Sequence, residues 1–296
     1  MSVPDWLRFS PRVTPSANVA LIATGKPVLI DSGFGSPASA ALTERFLAEN
    51  GLRAADLTAL AITHFHNDHA GGAAALRAQG VPVLLHETEA ALIAAGAPEA
   101  FDAAFLPFAV ESFTVDRALR DGDVIDAGVE LHVIHVPCQT PGCVAYWEPV
   151  DRVLFSGDLL QAEDVGWVRY DGTPGALADT VAAVERLAAL DPAIVVPGHG
   201  PLVTDVPRAV ERTLARYAGW AADPARPARH AARRIALTSL VLQPSTEEQL
   251  TPQTWARALI DVSGPDAVTE LVAGLEASGV VTRDQDGVLH ATVPTE

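Results

Sequence analysis

An α/β protein of two regions is the fold this sequence predicts, and three observations carry it. Between residues 18 and about 200, short β-branched runs bounded by turn residues alternate with alanine-rich stretches of helical spacing, as in layered sheets and helices. After about Asp205 the pattern changes to helices closed by a hairpin. With 49% hydrophobic and 19% charged residues among 296, the chain can bury a full core as one large or two modest domains. The expected division is a layered α/β domain over 1–205 and a mostly helical, winged-helix-like domain over 206–296.

Residues 18–24 and 27–30 flank a Gly-Lys turn and predict a hairpin that Asp31-Ser32-Gly33 leaves. A helix over 38–50 stops at Gly51, and 57–63 reads as a buried strand whose end delivers His64 into a loop. An alanine-rich helix over 71–79 and a strand over 81–86 follow. The segments 116–125, 129–136, 143–148 and 152–156 predict a second group of strands joined by tight turns. A helix over 176–190 precedes a strand at 193–196 that runs into Pro197-Gly198-His199-Gly200. Beyond it, helices are expected over 207–220, 230–242, 252–260 and 265–278, with a closing hairpin of 280–283 and 288–293.

Composition excludes several function classes. A formal charge of −17 opposes binding to nucleic acid, whose affinity comes from Lys and Arg on phosphates, so no nucleic-acid partner is expected. Between 208 and 234 seven arginines stand against Glu211 and Asp223, which reads as a solvated helical face before it reads as an anion site. No apolar run approaches the roughly 20 residues of a membrane-spanning helix. The first residues, with Asp5, Arg8 and Arg12 among prolines, do not resemble a secretory leader, so a cytoplasmic protein is expected. Cys138 and Cys143 alone make no disulfide framework and fit a reducing compartment.

The chemistry gathers in His64-Phe65-His66-Asn67-Asp68-His69, three imidazoles and a carboxylate in six residues between a buried strand and a helix. Imidazole nitrogens with a carboxylate are the donors that borderline divalent ions such as zinc prefer, and a loop lets them converge. Gly157-Asp158 and Pro197-Gly198-His199-Gly200 follow other strands with matching chemistry.

With these elements the chain resembles the metallo-β-lactamase superfamily. The His-x-His-x-Asp-His loop stands at His64, His66, Asp68 and His69, with Leu29-Ile30-Asp31-Ser32-Gly33, Ser156-Gly157-Asp158 and the His199 turn in the same order, over about residues 18–203. The resemblance implies an αββα sandwich with the metals at one edge of two sheets, in the manner of glyoxalase II or lactonase-like hydrolases with a C-terminal winged-helix-like region. It also implies a first metal site of His64, His66 and a third-loop histidine, and a second of Asp68, His69 and His199, with Asp158 bridging. The third-loop histidine is Gln139 in this chain, within Val136-Pro137-Cys138-Gln139-Thr140-Pro141-Gly142. An amide oxygen is a weaker donor than imidazole, so either the second site works alone or Gln139 is a weak ligand. His135, Cys138 and Cys143 are alternative donors whose plainer reading is structural.

The implied activity is metal-dependent hydrolysis of a small ester-like bond, a thioester or lactone with an apolar body, using one or two Zn2+ per chain, with Fe or Mn as other choices. Asp68 and Asp158 would align the water, Gln139 would donate to substrate or oxyanion, and Asp31 would orient a ligand histidine. Trp167, Tyr170, Phe101, Phe105 and Phe108 are candidates to cover the site, each more readily explained as packing. The rival readings are a non-hydrolytic lyase or cyclase, a metal-stabilised binding protein and, further behind, a persulfide dioxygenase. A small-molecule substrate is the expected partner, no membrane partner is expected, and a homodimer is compatible with the sequence.

Overall fold

The structure is a computed structural model and describes residues 3–170, 175–223 and 225–295. Strands β1 (Leu7–Ser10), β2 (Val19–Ile22), β3 (Val28–Ile30), β4 (Ala59–Ala61), β5 (Val83–His86) and β6 (Arg117–Leu119) form one sheet in that order. Pairing is antiparallel from β1 to β3 and parallel from β3 to β6. Helices α1 (Pro37–Glu49), α2 (Asn67–Ala70), α3 (Ala73–Ala78) and α4 (Glu87–Ala95) make its connections. Helix α1 begins where sequence chemistry demands: Ser36 Oγ accepts from Ser39 N, and Pro37 occupies the first turn, where no amide hydrogen is needed.

The second sheet runs in the order β11-β10-β9-β8-β7, built from β7 (Val124–Asp126), β8 (Glu130–His135), β9 (Val144–Glu148), β10 (Val153–Gly157) and β11 (Ile194–Pro197). Only β10 and β11 pair in parallel, with α5 (Ala176–Ala188) as their crossover.

Strand alternation explains the layers. In β2, Val19 and Leu21 pack toward α1 with Phe46 and Leu47, while Ala20 and Ile22 meet Val133, Tyr146 and Phe155 of the opposite sheet. The outer face of the second sheet packs Trp147, Leu154 and Val195 against Val184 and Leu187 of α5 and Val206, Tyr217 and Trp220 of α6 (Val206–Ala221). Helix, sheet, sheet, helix is the αββα sandwich expected. Helix α6 thus shares its buried face with α5.

Three local expectations change. The segment 116–125 is two strands in different sheets, β6 and β7, because period-2 spacing does not say which sheet a strand joins. The helix expected over 71–79 is α3 at 73–78, and the loop expected before it carries a separate short helix, α2, divided from α3 by Gly71 and Gly72. Strand β1 was not foreseen.

The C-terminal part comprises α7 (Ala225–Leu242), β12 (Ser245–Thr246), α8 (Glu247–Leu250), α9 (Thr254–Ser263), α10 (Ala267–Ala277), β13 (Val281–Arg283) and β14 (Val288–Ala291). Its helices and the β12-β14-β13 sheet close over Trp255, Leu259 and Leu275, giving the helical region with a hairpin that was expected. Phe105, Leu106, Phe108, Trp167 and Tyr170 from the sandwich enter this same cluster, and Tyr170 Oη donates to Trp255 O at 3.2 Å, so the two parts are packed together. Among the described residues no helix is long and apolar enough to cross a membrane.

Candidate metal centre

The carboxyl ends of parallel strands gather the site. Strands β3 and β4 run out into Asp31 and His64, and β10 and β11 run out into Asp158 and His199, so residues distant in sequence meet at one edge of the sandwich. At the end of β10 a register shift with Gly157 at φ 52° turns Asp158 inward. Gly198 is required by proximity, since a Cβ there would lie 2.5 Å from Asp158 Oδ1 and 2.6 Å from His69 Cε1.

One pocket is formed by Asp68, His69, His199 and Asp158. His69 Nε2 lies 3.2 Å from Asp158 Oδ1 and 3.9 Å from Asp68 Oδ2, while His199 Nε2 lies 3.2 Å from Asp68 Oδ2 and 3.4 Å from Asp158 Oδ1. Donors about 2.0–2.1 Å from a tetrahedral ion stand roughly 3.3 Å from one another, so these separations fit one ion. His69 Nε2 and Asp158 Oδ1 are also buried without a hydrogen-bond partner, atoms that a cation would satisfy.

The electrostatics agree. Burial alone pushes the His69 pKa down, but Asp68, Asp31 and Asp158 together hold it well above the usual imidazole range. Burial likewise pushes Asp158 up, and the imidazoles of His199 and His69 outweigh it, holding the carboxyl well below its usual range. Asp68 is lowered in the same way, with His69 and His199 overcoming burial. This pocket calls for positive charge, which a divalent ion supplies.

The adjoining pocket is poorer. His64 Nε2 and His66 Nδ1 face each other at 3.1 Å. Beside them Gln139 Nε2 donates to Asp158 Oδ2 at 3.1 Å, leaving Gln139 Oε1 buried and unpartnered. The donors there are two imidazoles and a neutral amide oxygen. His64 also lies within 4.8 Å, ligand atom to ligand atom, of His69 and Asp158. Its pKa is held well below the usual value by burial and then by His69 and His66, so it is a neutral ring with a free lone pair.

Outer partners fix each ring. Asp31 Oδ2 accepts from His69 Nδ1 at 2.8 Å, while its Oδ1 accepts from Thr63 N at 2.7 Å. Asp102 Oδ2 accepts from His66 Nε2 at 2.9 Å, and Arg169 Nη1 clamps Asp102 at 2.9 and 3.1 Å while donating to Gln139 O at 3.1 Å. In both cases a proton on the outer nitrogen, held by a carboxylate, would leave the inner one free to ligate an ion. Asp31 and Asp102 share a left-handed backbone, φ 59° and 51°, a conformation Asp tolerates better than most residues. Trp167 stacks on His66 at 5.4 Å with an 8° interplanar angle.

The alternative donors stay outside. His135 stacks on His86 at 4.1 Å and its Nε2 meets Pro141 O at 2.9 Å. Cys143 is buried with its Sγ 3.1 Å from Thr140 Oγ1, and Cys138 lines a separate cavity with Pro137, Thr140 and Arg169. Of the aromatic candidates, Phe108 and Trp167 line the cavity over the metal donors. Phe101 packs against Phe65 and Phe113, and Phe105 against Tyr170, so these serve packing.

The metallo-beta-lactamase superfamily profile matches residues 13–199. The chain belongs to the metallo-beta-lactamase superfamily. Among its superfamily relatives, a hydroxyacylglutathione hydrolase of Fuscovulum blasticum is 35% identical over 179 residues, 60% of this chain and 58% of that one. The chain therefore spans under two thirds of that relative's length. A metallo-beta-lactamase family protein of Thermus thermophilus shares the fold with a TM-score of 0.63 at 24% identity, covering 98% of this chain and 100% of that one. A protein solved in a di-iron-bound form is 36% identical with a TM-score of 0.53, covering 67% of this chain and 94% of that one.

Three residues of this superfamily member's site escaped sequence reading: Asp102, Arg169 and Asn67. Asn67 is buried at the cavity floor with Nδ2 unpartnered. Its place inside the His64–His69 motif was the only available signal. Asp102 and Arg169 sit on irregular segments with no motif.

Proposed function

We propose that this chain is a metal-dependent hydrolase of a small ester-like bond, a thioester or lactone, with zinc held by Asp68, His69, His199 and Asp158. The observation that carries the reading is the set of donor separations of 3.2–3.9 Å around buried, unpartnered His69 Nε2 and Asp158 Oδ1. The naming of a relative as a hydroxyacylglutathione hydrolase supports thioester hydrolysis over the lyase, binding-protein and dioxygenase readings.

A divalent ion in this set would activate water at neutral pH and draw electron density from a carbonyl. The protein's own groups do the rest. Asp31 keeps the His69 lone pair directed inward, and Gln139 holds Asp158 Oδ2 so that Oδ1 faces the donors. Asp68, more accessible than Asp158, is placed to orient the attacking water through the oxygen it does not give to the ion. Asn67 Nδ2 is placed to donate to the substrate oxygen as negative charge builds on it.

The test is a panel of acyl thioesters, lactones and 4-nitrophenyl esters, assayed before chelation, after it, and after return of zinc, manganese or iron. Hydrolysis that chelation abolishes and one of these ions restores is expected. Activity that survives chelation, or inactivity with every ion, overturns the reading.

A further inference from the structure

A cavity of about 450 Å³ opens outward from the metal donors, with His66, Asp68, Asp158 and His199 at its floor. Its lining mixes polar side chains such as Thr14, Gln161, Glu163 and Thr238 with an apolar patch. Leu106 and Phe108 come from the loop before β6, Ile235 and Leu237 from α7, and Val293 from the tail after β14. We infer that this outer part receives an uncharged, apolar acyl chain, an assignment that rests on the hydrolase reading above and supplies its substrate class.

Charge decides against an anionic substrate. Both arginines in the lining are already engaged: Arg12 Nη2 donates to Thr43 Oγ1 at 3.3 Å, and Arg234 Nη1 lies 3.6 Å from Asp164 Oδ2. Asp164 is itself shared with Arg216 at 3.1 Å, and Glu163 is an exposed carboxylate in the same wall. A ligand with carboxylates, such as a glutathione conjugate, would give up hydration here to meet Glu163 with both arginines engaged. An acyl chain replaces water against side chains that gain from its loss.

Leu106 and Phe108 lie within the superfamily match over 13–199, whereas Ile235, Leu237 and Val293 follow it, so the wall is assembled from both parts of the chain around the metal donors.

The experiment compares kcat/KM of the zinc-loaded protein for 4-nitrophenyl acetate, butyrate and octanoate and for S-lactoylglutathione. The same set is run on Leu237→Glu and Ile235→Asp, each checked for metal content equal to the parent's. Melting temperatures with added octanamide or glutathione give a readout independent of turnover. Octanoate ester is expected to exceed acetate ester by about tenfold or more, and both substitutions are expected to flatten that ratio. Leu237, only half-buried, guards against a variant that fails to fold. Chain-length independence, or a preference for S-lactoylglutathione, overturns the inference and leaves the hydrolase reading standing. If nothing is hydrolysed, the hydrolase reading falls and the melting data decide. Stabilisation by octanamide that Leu237→Glu removes then supports the apolar site, and stabilisation by glutathione instead overturns it.

Discussion

The two halves of the metal centre use the same fold edge and differ in charge. Around His69 and His199, two imidazoles are joined by the carboxylates of Asp68 and Asp158. Around His64 and His66, two imidazoles are joined by the neutral amide of Gln139, whose nitrogen is spent on Asp158 Oδ2. A dication entering the first set meets two carboxylates, whereas one entering the second meets two imidazoles, an amide and the shared Asp158 alone. Ligand count alone would rank the two pockets as equals, and donor charge separates them.

The largest effect should come from the residue both pockets share. Asp158→Ala is expected to strip the metal and lower hydrolysis by about a thousandfold or more, since it removes a ligand and leaves three imidazoles without their charge partner. Metal analysis with kinetics checks this, and full metal retention in the variant would count against the role given to Asp158.

The outer carboxylates sharpen the contrast. Asp31→Asn should weaken the tightly held ion by about 10–100-fold, because the amide no longer fixes the His69 tautomer. Asp102→Asn perturbs His66 in the poorer pocket and should leave that ion's affinity within about threefold. Competition with a zinc-sensitive dye measures both, and equal losses would mean the two pockets are not distinct.

The smallest effect concerns the loop that carries Gln139. Glu89 is fully buried behind it, accepts from Thr140 Oγ1, and has Oε2 unpartnered. Burial, and then Cys143, pushes its carboxyl well above the usual range, so the folded protein keeps it protonated. A raised folded pKa contributes stability that is complete below the unfolded value of 4.5 and is lost as pH rises through the folded one. Glu89→Gln, which is never ionised, should therefore gain in melting temperature relative to the parent as pH rises from 5 toward 8. A constant difference across that range would contradict the assignment.

What the sequence made legible follows from locality. His64, His66, Asp68 and His69 lie within six residues, and Asp158 and His199 each come directly after a glycine at a strand's end, so chemistry and punctuation coincide. Gln139 was legible because it stands where the pattern expects histidine. Asp102 and Arg169 were not, since the ion pair that holds His66 joins residues 67 apart on irregular backbone. Trp167 was legible as an aromatic near the site and illegible as the ring stacked on His66. Whether 116–125 belonged to one sheet or two, and that α6 shares the α5 core, depended on burial partners that no periodicity names.

The central claim is that one pocket holds an ion tightly and the other does not because residue 139 is glutamine. Its most direct test is ion content by plasma mass spectrometry, after exhaustive dialysis without chelator, for the parent chain and for Gln139→His. The account predicts about one ion per chain retained by the parent and about two by the variant. Two ions held by the parent, or none, would contradict it.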